Sequence, residues 1–290
     1  MAEPESHGTS GRQDWLAGIA GLAEFARRRL RREYEVDEFG FDPDLNSALI
    51  MPAALALYRN WFRVRMRGLE NIPDSGAALV VANHSGVLPV DGVMLQAGIF
   101  AEHPQHRTLR LLGADLVYSL PVLSSLARRS GHTRADPQQA HQLLTAGQLV
   151  GTFPEGFKGI GKPFSERYRL QRFGRGGFVR TAVQARVPII PCAIVGAEEI
   201  YPMIGNAEAL ARALGLPYFP VTPLFPWFGP LGAVPLPSNW IIEFSRPVPT
   251  CDLGSVDAGD EQLADLADQV RDTIQARLDD LVVERGPAFS

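Results

Sequence analysis

Apolar and polar positions along this chain change period several times, and each period predicts an element. From Asp14 onward Trp15, Ile19, Leu22, Ala26 and Leu30 recur at helical spacing, with arginines gathered at the far end, which predicts an amphipathic helix. "SALIMPAALALYRNWF" predicts a second helix, with Pro52 near its start and Tyr58, Trp61 and Phe62 at its end. Such stripes suit packing on a domain. They equally suit a membrane interface, where aromatic rings and arginines fit the headgroup boundary.

"RVRMRG" has the two-residue period of a half-buried strand, and "AALVVAN" is a continuous apolar run that reads as a buried one. "DGVMLQAGIF" follows as a helix, and further strands are predicted at "LRLLGA", "QLVGTFP", "VPIIPCAIVG" and "WIIEFS". Between them "DPQQAHQLLTAG" reads as a helix capped by Asp136, opened by Pro137 and ended by Gly147. A closing helix places Leu263, Leu266, Val270, Ile274, Leu278 and Leu281 on one face and stops at Gly286. Alternating strands and helices predict an α/β fold with a mostly parallel central sheet covered by helices and an N-terminal amphipathic helical arm. The expected organisation is a tail and arm over residues 1–62 and one domain over residues 63–290.

One segment breaks this alternation. From Ala213 to Ile242 there is no charged residue, and Pro217, Pro220, Pro223, Pro226, Pro230, Pro235 and Pro237 forbid a regular helix. An apolar loop carrying Tyr218, Phe219, Phe225, Trp227 and Phe228 needs something apolar to rest on, and a lipid chain or membrane contact is expected.

Charge changes the picture little on average, since the formal net charge is -4, but its distribution is uneven. Arg27, Arg28, Arg29, Arg31 and Arg32 make a basic cluster, while the chain after Cys251 is acidic. Cys192 and Cys251 are too few for a disulfide framework and lack metal-ligand spacing, so reduced thiols and a cytoplasmic setting are expected. The start "MAEPESHGTSGRQ" lacks the order of a secretory signal, and no apolar run reaches the length of a spanning helix. Contact with a membrane is therefore expected to be peripheral, and no nucleic-acid partner is expected.

The stretch "NHSGVLPVD" sets His84 and Asp91 after a predicted buried strand, where α/β proteins place ligands. A histidine held by a carboxylate has its tautomer fixed and its imidazolium stabilised, which suits a general base acting on an alcohol. Metal binding would want more ligands than His103 and His106 in "HPQH", and Ser85 lacks the elbow of a serine nucleophile. A second stretch runs G-x-x-x-x-G-K from Gly156 to Lys162. Pro163 follows where a phosphate loop needs a hydroxyl and an opening helix, so a nucleotide-hydrolysing loop is not expected. What remains is a glycine-rich segment bearing Lys158, Lys162, Arg167, Arg169, Arg172 and Arg175, and "FGRGG" favours an anion site around Arg175.

"NH" followed by an aspartate, then "FPEG", "RFGRGG" and "VPIIPCAIVG", in this order, resembles the glycerolipid acyltransferase family that includes 1-acylglycerol-3-phosphate acyltransferases. The resemblance covers roughly residues 63 to 200. It implies that His84 activates an acceptor hydroxyl for attack on an acyl thioester and that Asp91 orients it. It also implies that Glu155 and Gly156 serve acceptor binding, that Arg134 is the arginine of the second motif, and that Arg175 contacts acceptor phosphate. One departure is clear: the family's histidine motif has four intervening residues, and here residues 85–90 intervene. Seven steps on a continuous helix would rise ~10.5 Å, so the segment must fold, with Gly86 and Pro89 turning it and Asp91 in the first turn of the next helix.

The resemblance implies an O-acyltransferase without metal or tightly held cofactor. Its co-substrate would be acyl-CoA or acyl carrier protein, its acceptor a lipid alcohol, most simply a lysophospholipid, and its site the cytoplasmic face of a membrane surface. Acylation of diacylglycerol or a glycolipid, or a non-catalytic lipid-binding role, are the alternatives.

Overall fold

A computed structural model describes residues 21, 23–85, 88–119, 121–174, 176–214, 218–251 and 259–289. Strands β1 (Arg65–Arg67), β2 (Ala78–Ala82), β3 (Leu109–Gly113), β4 (His132–Arg134), β5 (Leu149–Thr152), β6 (Ile189–Val195) and β9 (Ile241–Phe244) form one sheet in the order β1-β9-β6-β2-β5-β3-β4. Every pairing in it is parallel except β6 with β9. A small antiparallel pair, β7 (Gly205–Asn206) and β8 (Pro220–Val221), stands apart.

The sheet is the middle of three layers because its central strands are apolar on both faces. Ala78, Val80 and Ala82 of β2 pack with Ile190, Cys192 and Ile194 of β6 against the helix Val90–Glu102 and the helical residues 43–61. Leu79 and Val81, with Ile189, Ala193 and Val195, face the helices Pro137–Thr145, Gly177–Ala185 and Asp260–Arg285. This is the physical meaning of the unbroken apolar runs: a two-residue period with both faces buried leaves no polar position. The predicted face of the closing helix is wholly buried, from Leu263 to Leu281. Asp136 caps its helix through the N–H groups of Gln138 and Gln139, and Gly147 follows the end at φ +78°.

Three local expectations are corrected. The helix of residues 43–61 begins nine residues before Pro52, at Pro43, where Asp42 accepts the Leu45 N–H. Pro52 is tolerated in its interior because the turn ahead of it, Asn46–Ile50, is a π turn that widens the ladder where the ring would strike a carbonyl. Strand β4, unpredicted, is three residues long with only Thr133 buried, too short to show a period. The two helices Asp115–Ser119 and Pro121–Arg129 were likewise not anticipated.

Of the N-terminal helix expected from Asp14, only the end is described: residues 23–31 are helical, and the start lies outside the described residues. The basic cluster is partly spent within the fold, since Arg29 pairs with buried Asp42 at 2.5 Å and Arg28 with Asp44 at 2.9 Å. The buried stripe of residues 43–62 joins the main core through Met51, Ala54, Tyr58 and Phe62, and Phe62 meets Trp240 at 4.9 Å between ring centroids. Its opposite face, with Leu49, Leu57 and Trp61, is exposed. Phe62→Ala is therefore expected to lower stability by about 3–5 kcal/mol, and Leu57→Ala by less than about 0.5 kcal/mol, in urea unfolding followed by circular dichroism.

Candidate active site

The chain runs from β2 to β3 and β4 on one side, then from β5 to β6 across β2 on the other, so the direction of winding changes between β2 and β5. The crevice beyond the carboxyl ends of such strands is where open α/β sheets bind ligands. His84 leaves β2 at this point, and Phe153, Pro154 and Glu155 leave β5 beside it.

Asn83 anchors the exit of β2: its Nδ2–H donates to the Ile194 carbonyl at 3.0 Å, and its Oδ1 accepts the Ile194 N–H at 2.7 Å. The following imidazole points Nδ1 at Asp91 Oδ2, 2.7 Å away. Asp91 is fully buried in the first turn of the helix Val90–Glu102, behind Pro89, as the sequence spacing required. Gly86 lies outside the described residues, so its turn is not described. The helix N-terminus favours the negative charge, and the Ser85 and Gly92 N–H groups donate to the same carboxylate at 2.9 and 2.8 Å. A buried carboxylate so held is an acceptor, which makes His84 Nδ1 the donor and leaves the lone pair on Nε2. Phe153 stacks on the ring at 4.5 Å and 25°, and the histidine side chain keeps 15% of its exposure.

Glu155 is also brought here, but its carboxylate is taken up by main chain. Oε1 accepts the His84 N–H at 3.0 Å and Oε2 the Gln171 N–H at 2.8 Å, and the residue is buried. Its neighbour Gly156 adopts φ +54°, turning the chain into the helical turn Phe157–Ile160. Lys162 is corrected: rather than offering a charge to an anion, it is buried, donating to the Arg169 carbonyl at 3.1 Å and to Glu198 at 3.0 Å. The reason is local charge balance, because Glu155 and Glu198 are both buried around it.

Arg134 ends β4, three strands from β2, so roughly 14 Å of sheet separates it from His84. It pairs with Asp115 at 2.8 Å on an exposed surface, a contact of about 0–1 kcal/mol. Arg175 lies outside the described residues; Lys158, Arg169 and Arg172 are exposed nearby in sequence. In the uncharged loop, burial drives the Tyr218 phenol up to about 12, and the negative charge of Asp91 adds to the shift.

Sequence reasoning missed Asn83, Phe153 and Glu198 as parts of the site. For Glu198 a signal existed: two adjacent carboxylates, Glu198 and Glu199, follow a fully apolar strand after only Gly196 and Ala197.

The sequence profile of the Acyltransferase family matches residues 63–195. The uncharacterized protein Rv0502 of Mycobacterium tuberculosis is 56% identical over 272 residues, which cover 93% of this chain and 76% of that protein. The DGAT1/2-independent enzyme synthesizing storage lipids of Homo sapiens is 26% identical over 168 residues, covering 58% of this chain and 51% of that protein. The crystal structure of the 1-acyl-sn-glycerophosphate (LPA) acyltransferase PlsC from Thermotoga maritima superposes with a TM-score of 0.57 at 18% identity, covering 92% of this chain and 88% of that one. This chain therefore carries an acyltransferase domain over residues 63–195, on a fold like that of the Thermotoga maritima structure.

Burial raises the Glu198 carboxyl from its ordinary 4.5 to about 7, against the pull of Lys162. Its folded value lies above its unfolded one, so the stability it contributes is complete below pH 4.5 and is lost as pH rises through 7. Glu198→Gln, which cannot ionise, is expected to gain on the wild type by on the order of 3 kcal/mol across that window, in urea unfolding at a series of pH values.

Proposed function

We propose that this protein moves a fatty acyl group from acyl-CoA or acyl carrier protein to a hydroxyl of a glycerolipid, with a lysophospholipid such as 1-acylglycerol-3-phosphate as acceptor. The observation that carries this reading is the 2.7 Å contact of His84 Nδ1 with buried Asp91 at the β2–β5 crevice. His84 Nε2 takes the proton of the acceptor hydroxyl as its oxygen attacks the thioester carbonyl. The imidazolium so formed is stabilised by Asp91, and its proton leaves with the departing thiolate. The stacked Phe153 ring and the Asp91 hydrogen bond hold the imidazole against rotation, which keeps Nε2 aimed outward.

Glu155 serves by bracing the loops rather than by touching the acceptor, and Gly156 by turning the chain after it. Arg175, with exposed Lys158, Arg169 and Arg172, supplies the cations for an acceptor phosphate, and Arg134 stands farther out along the sheet. The scheme invokes no resident metal or cofactor.

A second reading, acylation of a neutral lipid alcohol such as diacylglycerol, is favoured by two observations. The human relative is named for storage-lipid synthesis, and Lys162 and Arg134 are already paired with carboxylates.

The lipid reaches the site from a membrane surface on which the protein lies, at its cytoplasmic face. Support comes from Trp227, Phe228 and Leu231, which are 72%, 59% and 68% exposed within the uncharged segment. Trp61 Nε1–H donates to the Pro235 carbonyl at 3.0 Å, so the exposed face of residues 43–61 adjoins this apolar surface. No helix among the described residues is long and apolar enough to cross a membrane.

Thiol release from acyl-CoA, measured with lysophosphatidic acid, other lysolipids and neutral glycerides, tests the reaction. His84→Ala is expected to lose ~100-fold or more, and wild-type turnover in that variant would remove the base assignment. Arg175→Ala is expected to raise the KM for lysophosphatidic acid alone; a KM unchanged for every acceptor selects the neutral-lipid reading. In liposome sedimentation, Trp227→Ala combined with Phe228→Ala is expected to weaken binding roughly tenfold or more.

A further inference from the structure

The segment leaving β5 folds back onto the main chain that carries His84. At Gly159 a Cβ would stand 3.0 Å from the His84 carbonyl oxygen and 2.7 Å from Glu155 Cβ, so the absent side chain is what lets the backbone close in. Glu155 Oε1 meanwhile accepts the His84 N–H at 3.0 Å. The peptide groups on both sides of the His84 Cα are thus clasped by one short loop. That loop ends at Lys162, whose side chain keeps 3% of its exposure.

The Lys162 ammonium holds the loop shut from the far side. It donates to the Arg169 carbonyl at 3.1 Å and Glu198 Oε1 at 3.0 Å, and lies 3.8 Å from Glu155 Oε2. Glu198 Oε1 also accepts the Tyr168 N–H at 2.9 Å, and Glu155 Oε2 the Gln171 N–H. One cation therefore joins the loops that follow β5 and β6 to residues 168–171 between them. Each of these contacts lies on the carboxyl side of the sheet, where the imidazole stands. Without the ammonium, Glu155 would keep its main-chain donors but lose its one buried counter-charge, and a buried carboxylate without one is costly to hold in place. Glu155 can yield only by letting go of His84 or Gln171.

We propose that Lys162 is a positioning residue for the general base: its charge fixes Glu155, and Glu155 fixes the backbone from which the His84 imidazole projects. This rests on the reading of His84 as the base of acyl transfer. The general base must be placed to a fraction of an ångström, and a misplacement of about 1 Å is enough to cost ~100-fold in rate.

The test compares Lys162→Met, Glu155→Gln and the double variant with the wild type in acyl transfer from acyl-CoA. It is paired with 15N spectra of histidine-labelled protein, in which the His84 signals are assigned by their loss in His84→Ala. The expected result for each single variant is a kcat 10- to 100-fold lower with the KM for acyl-CoA within about twofold. The double variant is expected to lose no more than the worse single one, because the two side chains act as a unit. The His84 ring is expected to show Nδ1 protonated in the wild type and a mixture of tautomers in Lys162→Met. Wild-type kcat and an unchanged tautomer in folded Lys162→Met, or losses that multiply in the double variant, would overturn the proposal. Should Lys162→Met not fold, Glu155→Gln keeps the volume and carries the comparison alone, full kcat there counting against it. If the wild type transfers no acyl group to any acceptor, the acyl-transfer reading fails by itself, and the tautomer comparison still decides the role of Lys162.

Discussion

The contact between the His84 imidazole and the Asp91 carboxylate depends on a charge being kept where water cannot reach it. A buried carboxylate is costly unless its oxygens are satisfied, and here the His84 ring, two main-chain N–H groups and a helix N-terminus satisfy them. That requirement explains the local architecture. The chain leaves β2, turns, and opens the next helix so that its first turn meets the imidazole. The longer interval between the two residues is compatible with contact because the loop absorbs it.

The same logic repeats one shell farther out. Glu155, Glu198 and Lys162 form a buried cluster of two carboxylates and one ammonium, with main-chain donors taking up the remaining acceptor capacity. Glu199 is held likewise by Arg285 at 2.8 Å and by the Tyr168 hydroxyl, which ties the last turn of the closing helix to the loop after β6. Polar groups thus concentrate at the carboxyl edge of the sheet, while its two faces are apolar. Packing of the layers sets where the strand ends stand, and the ionic clusters set the shape of the loops that leave them.

The apolar surface near this edge has a different origin. Residues 43–61 present one face to the core and the other to solvent, and the proline-stiffened segment adds Trp227, Phe228 and Leu231 beside it. Proline fixes φ along this segment, local main-chain hydrogen bonds such as Phe228 N–H to the Leu224 carbonyl close its turns, and Phe219 packs on Phe225, which leaves the Trp227 and Phe228 rings exposed.

By itself the sequence determined the layered α/β fold, the central strands, the capped helices and the buried face of the closing helix. These follow from local period and local capping, which each segment carries within itself. It also pointed to His84 and Asp91, because an imidazole and a carboxylate after a buried strand are chemically conspicuous. Strand β4 escaped, being too short to have a period, and the antiparallel direction of β9 was unreadable after a connection of more than forty residues. Tertiary structure alone decided that Lys162 faces carboxylates rather than phosphate, that Glu155 grips main chain, and that residues 51–62 belong to the core. A charge run reads as solvated until the fold places a distant carboxylate, here thirty-six residues away, against one of its members. Partners so far apart in sequence leave no periodic trace, because the burial that pairs them exists only once the sheet has closed.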